Sequence, residues 1–288
     1  MEQHLDKKAY LMMTITPVMW SMGGLLIKML PWQGIVIAGI RSGISAIVFL
    51  IAIKYVMKYP VIINRQTLLG GIFLGYLAGS FAVANKMTTA ANAIVLQSTG
   101  PIFILIASAL IFKEKFRKGD YIAVITAMGG IMLFFADKLS TGQMMGNFVA
   151  LSSGVAMAAL YMFNNKSKSD EETMSALLMG HVYIFIGSIP FWFITPPEMT
   201  TKNVAIIVVL GVFQLGIPYV LYSLSIRRLP VLTCSMISLL EPLLNPVWVA
   251  LFAGEIPGPF ALLGTLIVLC SIAGWTVYNA KVPTSVNN

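Results

Sequence analysis

The sequence predicts an all-α polytopic membrane protein, with ten transmembrane helices arranged as two inverted five-helix repeats. Three observations predict it. Of 288 residues, 58% are hydrophobic and 10% charged, against about 45–50% and about 25% in soluble domains, and the mean hydropathy is +0.84. Apolar runs recur along the whole chain, each near the ~20 residues a lipid-crossing helix needs to satisfy its own backbone. Finally, the chain matches itself at a fixed offset.

Taken in order, the runs fall at 9–29, 33–53, 67–85, 88–112, 119–136, 145–163, 173–194, 203–224, 231–252 and 259–279. The first is too long for the apolar core of a cleaved signal, and no A-x-A site follows it. Short tails and brief connections make up the rest; the longest carries Lys166, Lys168, Asp170, Glu171 and Glu172. With the N-terminus inside, Lys7, Lys8, Lys54, Lys58, Arg65, Lys113, Lys115, Arg117, Lys118, Lys166, Lys168, Arg227, Arg228 and Lys281 are cytoplasmic. Only Lys28, Lys86, Lys138 and Lys202 fall outside, and Arg41 lies within a span. Fourteen against four places both termini in the cytoplasm of a multi-pass cell-membrane protein. The net charge of +8 is thus a topology signal, not a footprint for nucleic acid. Cys234 and Cys270 both lie in apolar runs, which excludes a disulfide framework and a CxxC metal or redox site.

An offset of 141 residues aligns 69–114 with 210–255 without a gap. There are eight identities in 46 positions, and several are not generic apolar residues: Gly70 meets Gly211, Gly75 meets Gly216, Pro101 meets Pro242 and Glu114 meets Glu255. Lys86 meets Arg227, and an offset of 138 brings Lys28 onto Lys166. The division is 1–140 and 141–288. Five crossings is an odd number, so the second unit enters the membrane the opposite way up. Inverted repeats about an in-plane axis are a recurring plan of secondary transporters, in which two halves exchange conformations around one central site.

Each unit also carries landmarks. The segment Trp20-Ser-Met-Gly-Gly-Leu-Leu-Ile-Lys28 resembles the opening of the EamA-like branch of the drug/metabolite transporter superfamily, and Arg41 resembles the arginine of its second helix. Asn92-Ala-Ile-Val-Leu-Gln-Ser-Thr-Gly-Pro101, continuing to Glu114, is similar to its fourth helix, and Ser238-Leu-Leu-Glu241-Pro242, running to Gly254-Glu255, to its ninth. Departures are Gln97 with Gly100, and a second break at Pro246. The resemblance spans nearly the whole chain and implies a ten-helix carrier of small organic solutes. The family carries the glutamate across different substrates.

Glu241 is the most informative residue. It sits near the middle of the ninth run, where an ionised carboxylate costs at least ~2–3 kcal/mol, so it is paired, hydrated or protonated. Pro242 and Pro246 cannot donate to the carbonyls of Ser238 and Pro242, so the helix kinks and frees carbonyls toward a partner or a wet cavity. Glu241 therefore reads as a proton-coupling carboxylate or an anchor for a cationic amine, or else as a neutral structural pin. Arg41 lies about 12 Å into the second run, too deep to reach the interface; it binds a solute carboxylate or neutralises Glu241. His181, mid-run in the seventh and roughly opposite Arg41 in the repeat, is a candidate proton relay or a packing residue. Trp20, Tyr161 and Tyr222 are candidate aromatic walls, and the mid-helix amides of Gln97 and Asn245 need partners. Trp32 and Trp192 are assigned to the interfacial belt. Gly71, Gly75, Gly79, Gly39 and Gly43 mark close helix packing, and Glu114 and Glu255 mark helix ends.

No phosphate-binding loop, HExxH or Gly-x-Ser-x-Gly is present, which removes ATP-driven transport within the chain, a zinc protease and a serine hydrolase. No metal or other cofactor is expected. The expected function is secondary active transport, by alternating access, of an amino acid, amphipathic metabolite or drug, with export suggested by the resemblance. Helices one, two, four, six, seven and nine are expected to line the cavity. A membrane-embedded sensor or scaffold, an uptake carrier for an organic cation, and a channel stand as alternatives. The partners are the small organic solute, protons and the lipid bilayer; neither the solute nor an oligomeric state is named by the sequence.

Overall fold

The computed structural model describes residues 6–111, 113, 116–134, 136, 143–244, 248 and 258–281. Among them there is no strand. The helices are α1 (Lys7–Trp20), α2 (Gly23–Met29), α3 (Gly34–Ile51), α4 (Arg65–Met87), α5 (Ala90–Gln97), α6 (Gly100–Ile111) and α7 (Lys118–Phe134). After them come α8 (Met144–Asn165), α9 (Asp170–Ile194), α10 (Thr201–Val209), α11 (Ile217–Ser225), α12 (Val231–Ser238), α13 (described over 240–244) and α14 (Pro259–Lys281). Two wider π-helical turns, Ala52–Met57 and Leu210–Gly216, extend α3 and join α10 to α11.

Among the described residues, seven stretches are long and apolar enough to cross a membrane: Lys7–Met29, Gly34–Met57, Arg65–Met87, Asn92–Ile111, Met144–Asn165, Asp170–Ile194 and Thr201–Ser225. Shorter apolar helices occupy Val231–Leu244 and Leu262–Thr276. The protein is an all-α polytopic membrane protein. The fifth expected run is the 17-residue α7. The ninth continues past Leu244, so Asn245, Pro246 and Glu255, like Glu114, lie outside the described residues.

The helix starts follow from polar residues placed just before the apolar runs. Asp6 accepts from the Ala9 amide, Thr89 from Asn92, Ser169 from Glu172 and Thr200 from Asn203, while Asn64 and Thr67 form a reciprocal capping box. Each cap satisfies a helix-end donor that lipid cannot. The breaks follow from proline. Pro101 and Pro242 each lack the amide that would bond the residue four back, and in both places the helix turns just upstream, at Ser98 and Thr99 and at Leu239.

Small residues let the central helices touch. A Cβ on Gly180 of α9 would lie 2.6 Å from the Leu74 Cβ and 2.8 Å from the Gly71 carbonyl oxygen of α4. On α3, Gly39 meets Ser188 and Gly43 meets Phe185 of α9. Thus α9 lies against both α3 and α4, and the glycine reading holds as packing. The remaining neighbours come in exchanged pairs: α4 packs on α8 as α1 packs on α11, and α4 on α9 as α3 on the Leu210–Gly216 turn. Helices α7 and α14 pair with each other at one side. Trp32, in the connection between α2 and α3, is buried, its indole donating to the Glu198 carbonyl between α9 and α10 at 3.2 Å.

Candidate functional site

A cavity of about 30 Å³ lies at the centre of the fold, room for roughly two water molecules. Six lining residues come from each half of the chain: Trp20, Arg41, Leu77, Ala78, Phe81 and Gln97 from the first, and Met157, Tyr161, Gln214, Leu215, Tyr219 and Glu241 from the second. The lining is mostly apolar and aromatic, with one cation, one carboxyl group and two amides.

Arg41 is carried by α3, which faces α4 on one side and the Leu210–Gly216 turn on the other. It is 1% exposed. Its Nη1 donates to Gln214 Oε1 at 3.1 Å and its Nη2 to the Ala78 carbonyl at 3.0 Å, while Nε has no partner. The guanidinium is thus held by neutral acceptors, and no ion pair joins it to Glu241. Gln214 in turn donates Nε2 to the Trp20 carbonyl at 3.3 Å, where α1 ends and a two-residue turn leads into α2. Glu241 is the second residue of α13, two past the break at Leu239. Tyr161 shares a hydrogen bond between its hydroxyl and that of Ser238, the last residue before the same break, and Ser238 itself donates to the Cys234 carbonyl.

The aromatic residues form one connected wall. Trp20 lies 4.8 Å from Tyr219 and 6.0 Å from Tyr222 between ring centroids, Tyr161 lies 5.1 Å from Tyr222, and Tyr219 lies 5.8 Å from Tyr222. Of the residues singled out from sequence, Trp20, Arg41, Gln97, Tyr161 and Glu241 line the cavity together. Tyr222 is fully buried one layer behind, supporting the other three rings. His181 is also a layer behind, its ring 5.7 Å from Tyr219 and 5.3 Å from Phe49, with neither nitrogen partnered. Asn245 lies outside the described residues.

Sequence reasoning missed Gln214 and Tyr219. Gln214 met the criterion applied to Gln97, an amide in mid-span, and could have been found by it; Tyr219, beside Pro218, carried no signal separating it from Tyr222. The cavity is lined from the third and eighth runs rather than the seventh, because α9 spends its face on glycine contacts with α3 and α4. Among the described residues no His/Cys/Asp/Glu group could hold a metal ion.

At the two ends of the fold, basic side chains tie the helices together. Lys86 donates to the Leu30 carbonyl at 2.6 Å and Lys28 to the Thr88 carbonyl at 3.0 Å. At the other end Arg227 donates to the Ser167 and Lys168 carbonyls and pairs with Asp170 at 2.7 Å, and Arg228 also pairs with Asp170.

The family model described as the EamA-like transporter family matches residues 7–136 and 144–277. An uncharacterized transporter of Clostridium kluyveri is 25% identical over 289 residues, covering 91% of each chain. The threonine/homoserine exporter RhtA of Escherichia coli K12 is 23% identical over 211 residues, covering 72% of this chain and 69% of its own. YxxF, an uncharacterized transporter of Bacillus subtilis, is 24% identical, covering 72% of this chain and 68% of its own. A solved crystal structure of a protein superposes with a TM-score of 0.78 at 15% identity, covering 94% of this chain and 98% of that one, a likeness of fold.

Proposed function

Because the chain belongs to the EamA-like transporter family, we propose that it is a secondary carrier that exports a small organic solute by alternating access between two inverted halves, 1–140 and 141–288. That it is a multi-pass membrane transporter follows from the family and the apolar helices. The single observation that carries the finer reading is the central cavity, to which each half contributes six residues and which sets a buried guanidinium and a carboxyl group within one aromatic wall. Lined by Arg41 and Glu241, the cavity suits a solute with both an acidic and a basic group, Arg41 taking the carboxylate and Glu241 the amine or the coupling proton. Threonine and homoserine, for which the RhtA exporter is named, are molecules of that kind, so L-threonine is the first solute to try.

The inverted plan is supported by packing as well as by the self-alignment. Lys86 and Arg227 are partners at the 141-residue offset, and the carbonyls they bind belong to Leu30 and Lys168, partners at the 138-residue offset. The pairing of α4 with α8 against α1 with α11 has the same form. We take ten spans and cytoplasmic termini as part of this reading. At about 30 Å³ the cavity is too small for an amino acid, so loading requires the halves to separate at the centre.

The experiment is flux of radiolabelled L-threonine into proteoliposomes. A carrier shows saturable uptake that unlabelled solute inside accelerates; a sensor or scaffold shows none, and a channel shows conductance far above carrier turnover. Tags on both termini should report the same, cytoplasmic, face. Finding them on opposite faces overturns the inverted plan.

A further inference from the structure

We propose that Gln214 is a positioning residue that aims Arg41, committing one edge of the guanidinium so that its Nε is presented to an anionic group of the solute. The inference rests on the reading of the cavity as a solute site. Its basis is a chain of contacts running through both halves. Gln214 receives Arg41 Nη1 on its oxygen and donates from its nitrogen to the Trp20 carbonyl, so an amide from the second half bridges two separate helices of the first. Both ends of the amide are used, which fixes its orientation as well as its place.

The local structure exists to put the amide there. Gln214 sits on the π-helical turn Leu210–Gly216, whose Gly211 carbonyl also accepts from Ser45, one turn beyond Arg41 on α3, at 2.7 Å. Ser45 also donates to the Arg41 carbonyl at 3.0 Å. Gly211 and Gly216 allow the turn to lie directly on α3, since Cβ atoms there would be 2.5 Å from Ile44 Cβ and 2.9 Å from Val48 Cβ. On the other side Gly23 leaves room for the amide: a Cβ on Gly23 would be 2.7 Å from Gln214 Nε2. Wide turns of this kind concentrate at functional sites. With Nη1 given to Gln214 and Nη2 to Ala78, the fully buried Nε remains without a partner. A buried donor left unsatisfied is unfavourable, and a solute carboxylate would satisfy it.

The repeat frame separates this role from plain packing. Gln214 stands opposite Phe73 at the 141-residue offset, and Phe73 packs edge-on against Phe163 at 5.3 Å. Packing at this position in the first half is met by an apolar ring; the amide is needed only where it faces the arginine.

Two measurements test the proposal. The first is L-threonine counterflow in proteoliposomes, run beside L-threoninol, the same molecule with its carboxylate reduced to an alcohol. Gln214→Leu should raise the half-saturation for L-threonine at least tenfold with little change in maximal rate, and Gln214→Glu, which pairs with Arg41, should raise it further. Gly23→Ala, which displaces the amide without altering either partner, should move it the same way. L-Threoninol should be unaffected in all three. Wild-type half-saturation in Gln214→Leu, or equal losses for both solutes, overturns the proposal. The second measurement uses no solute. In thermal unfolding, Gln214→Leu should lower the midpoint in the wild-type background and not in Arg41→Met; additive losses overturn the proposal. A wild-type protein that moves neither solute, with the unfolding cycle non-additive, overturns the solute reading and leaves the aim of Gln214 on Arg41 standing.

Discussion

Glu241 gives the sharpest prediction. Among the described residues it is the one carboxyl group lining the cavity. Asp6, Asp170 and Glu172 sit at helix N-termini, and Asp120 holds the Arg117 amide and the Trp275 indole. If export is driven by a proton carried at the central site, the Glu241→Gln variant has no other group there to carry it, and the loss is all or none. The magnitude follows from the gradient. One proton exchanged per solute across one pH unit supplies about 1.4 kcal/mol, or about tenfold accumulation at equilibrium. Acid-inside vesicles with the membrane potential clamped should therefore gather L-threonine to about ten times the outside concentration with the wild-type protein, as protons leave and solute enters. With Glu241→Gln the ratio should be about one. The amide keeps the size of the side chain, and it relieves a cost of at least ~2–3 kcal/mol for a charge at that depth, so folding and solute exchange should persist. Accumulation at the wild-type ratio in Glu241→Gln would make the residue structural and refute the coupling argument.

Three further predictions follow from the packing and the ends of the fold. Gly180→Val should destabilise the protein by about 1–3 kcal/mol in an unfolding assay, because its Cβ meets the Gly71 backbone oxygen, which no rotamer change relieves; Gly187→Ala, with nothing within 4 Å of the added carbon, should be neutral or slightly stabilising. Arg227→Met should cost more stability than Arg228→Met, since Arg227 binds the Ser167 and Lys168 carbonyls and Asp170 with its side chain 26% exposed, whereas Arg228, 38% exposed, binds the Leu224 carbonyl of the α11 just before it and Asp170, with Asp6 at 3.8 Å; equal losses would reduce the cluster to surface charge. Lys86→Met and Arg227→Met loosen opposite ends of the fold, and should shift the ratio of solute affinities measured from the two faces, in right-side-out and inside-out vesicles, in opposite directions.

The helical class was legible because lipid leaves a chain few choices: a run of apolar residues must close its own hydrogen bonds, and the helix breaks follow from Pro101 and Pro242. Trp20, Arg41, Gln97, Tyr161 and Glu241 were legible for a related reason, since a polar or large amphipathic side chain in mid-span must face the protein's interior. The second layer was not. Tyr219 and Tyr222 lie on one face of α11, and the phase of that face is set by the Leu210–Gly216 turn, whose π winding adds a residue to the turn and rotates everything after it. His181 was illegible for a different reason: its depth was correct, but α9 is enclosed by α3 and α4 through contacts at Gly39, Gly43, Gly71 and Gly180, and close approach of two glycines is not a feature of either run alone.

The inverted plan we propose is symmetric in scaffold and asymmetric in chemistry, and the structure supplies a reason. Glu241 stands opposite Gly100, and the space a side chain would take there is filled by Met157, whose terminal methyl lies 2.6 Å from where a Cβ would be. Gln214 stands opposite Phe73, and Arg41 roughly opposite His181, which is shielded from the cavity behind Tyr219. One guanidinium and one carboxyl group thus survive where two-fold repetition would have given two of each. A pair of arginines and a pair of glutamates at this depth would add like-charge repulsion to the cost of burying every charge. A single pair instead gives the cavity a fixed polarity that does not reverse when the halves exchange shape. On the proposed plan the ends of the fold, where Lys86 and Arg227 occupy equivalent places at the 141-residue offset, would open by turns while the solute keeps the same two partners throughout.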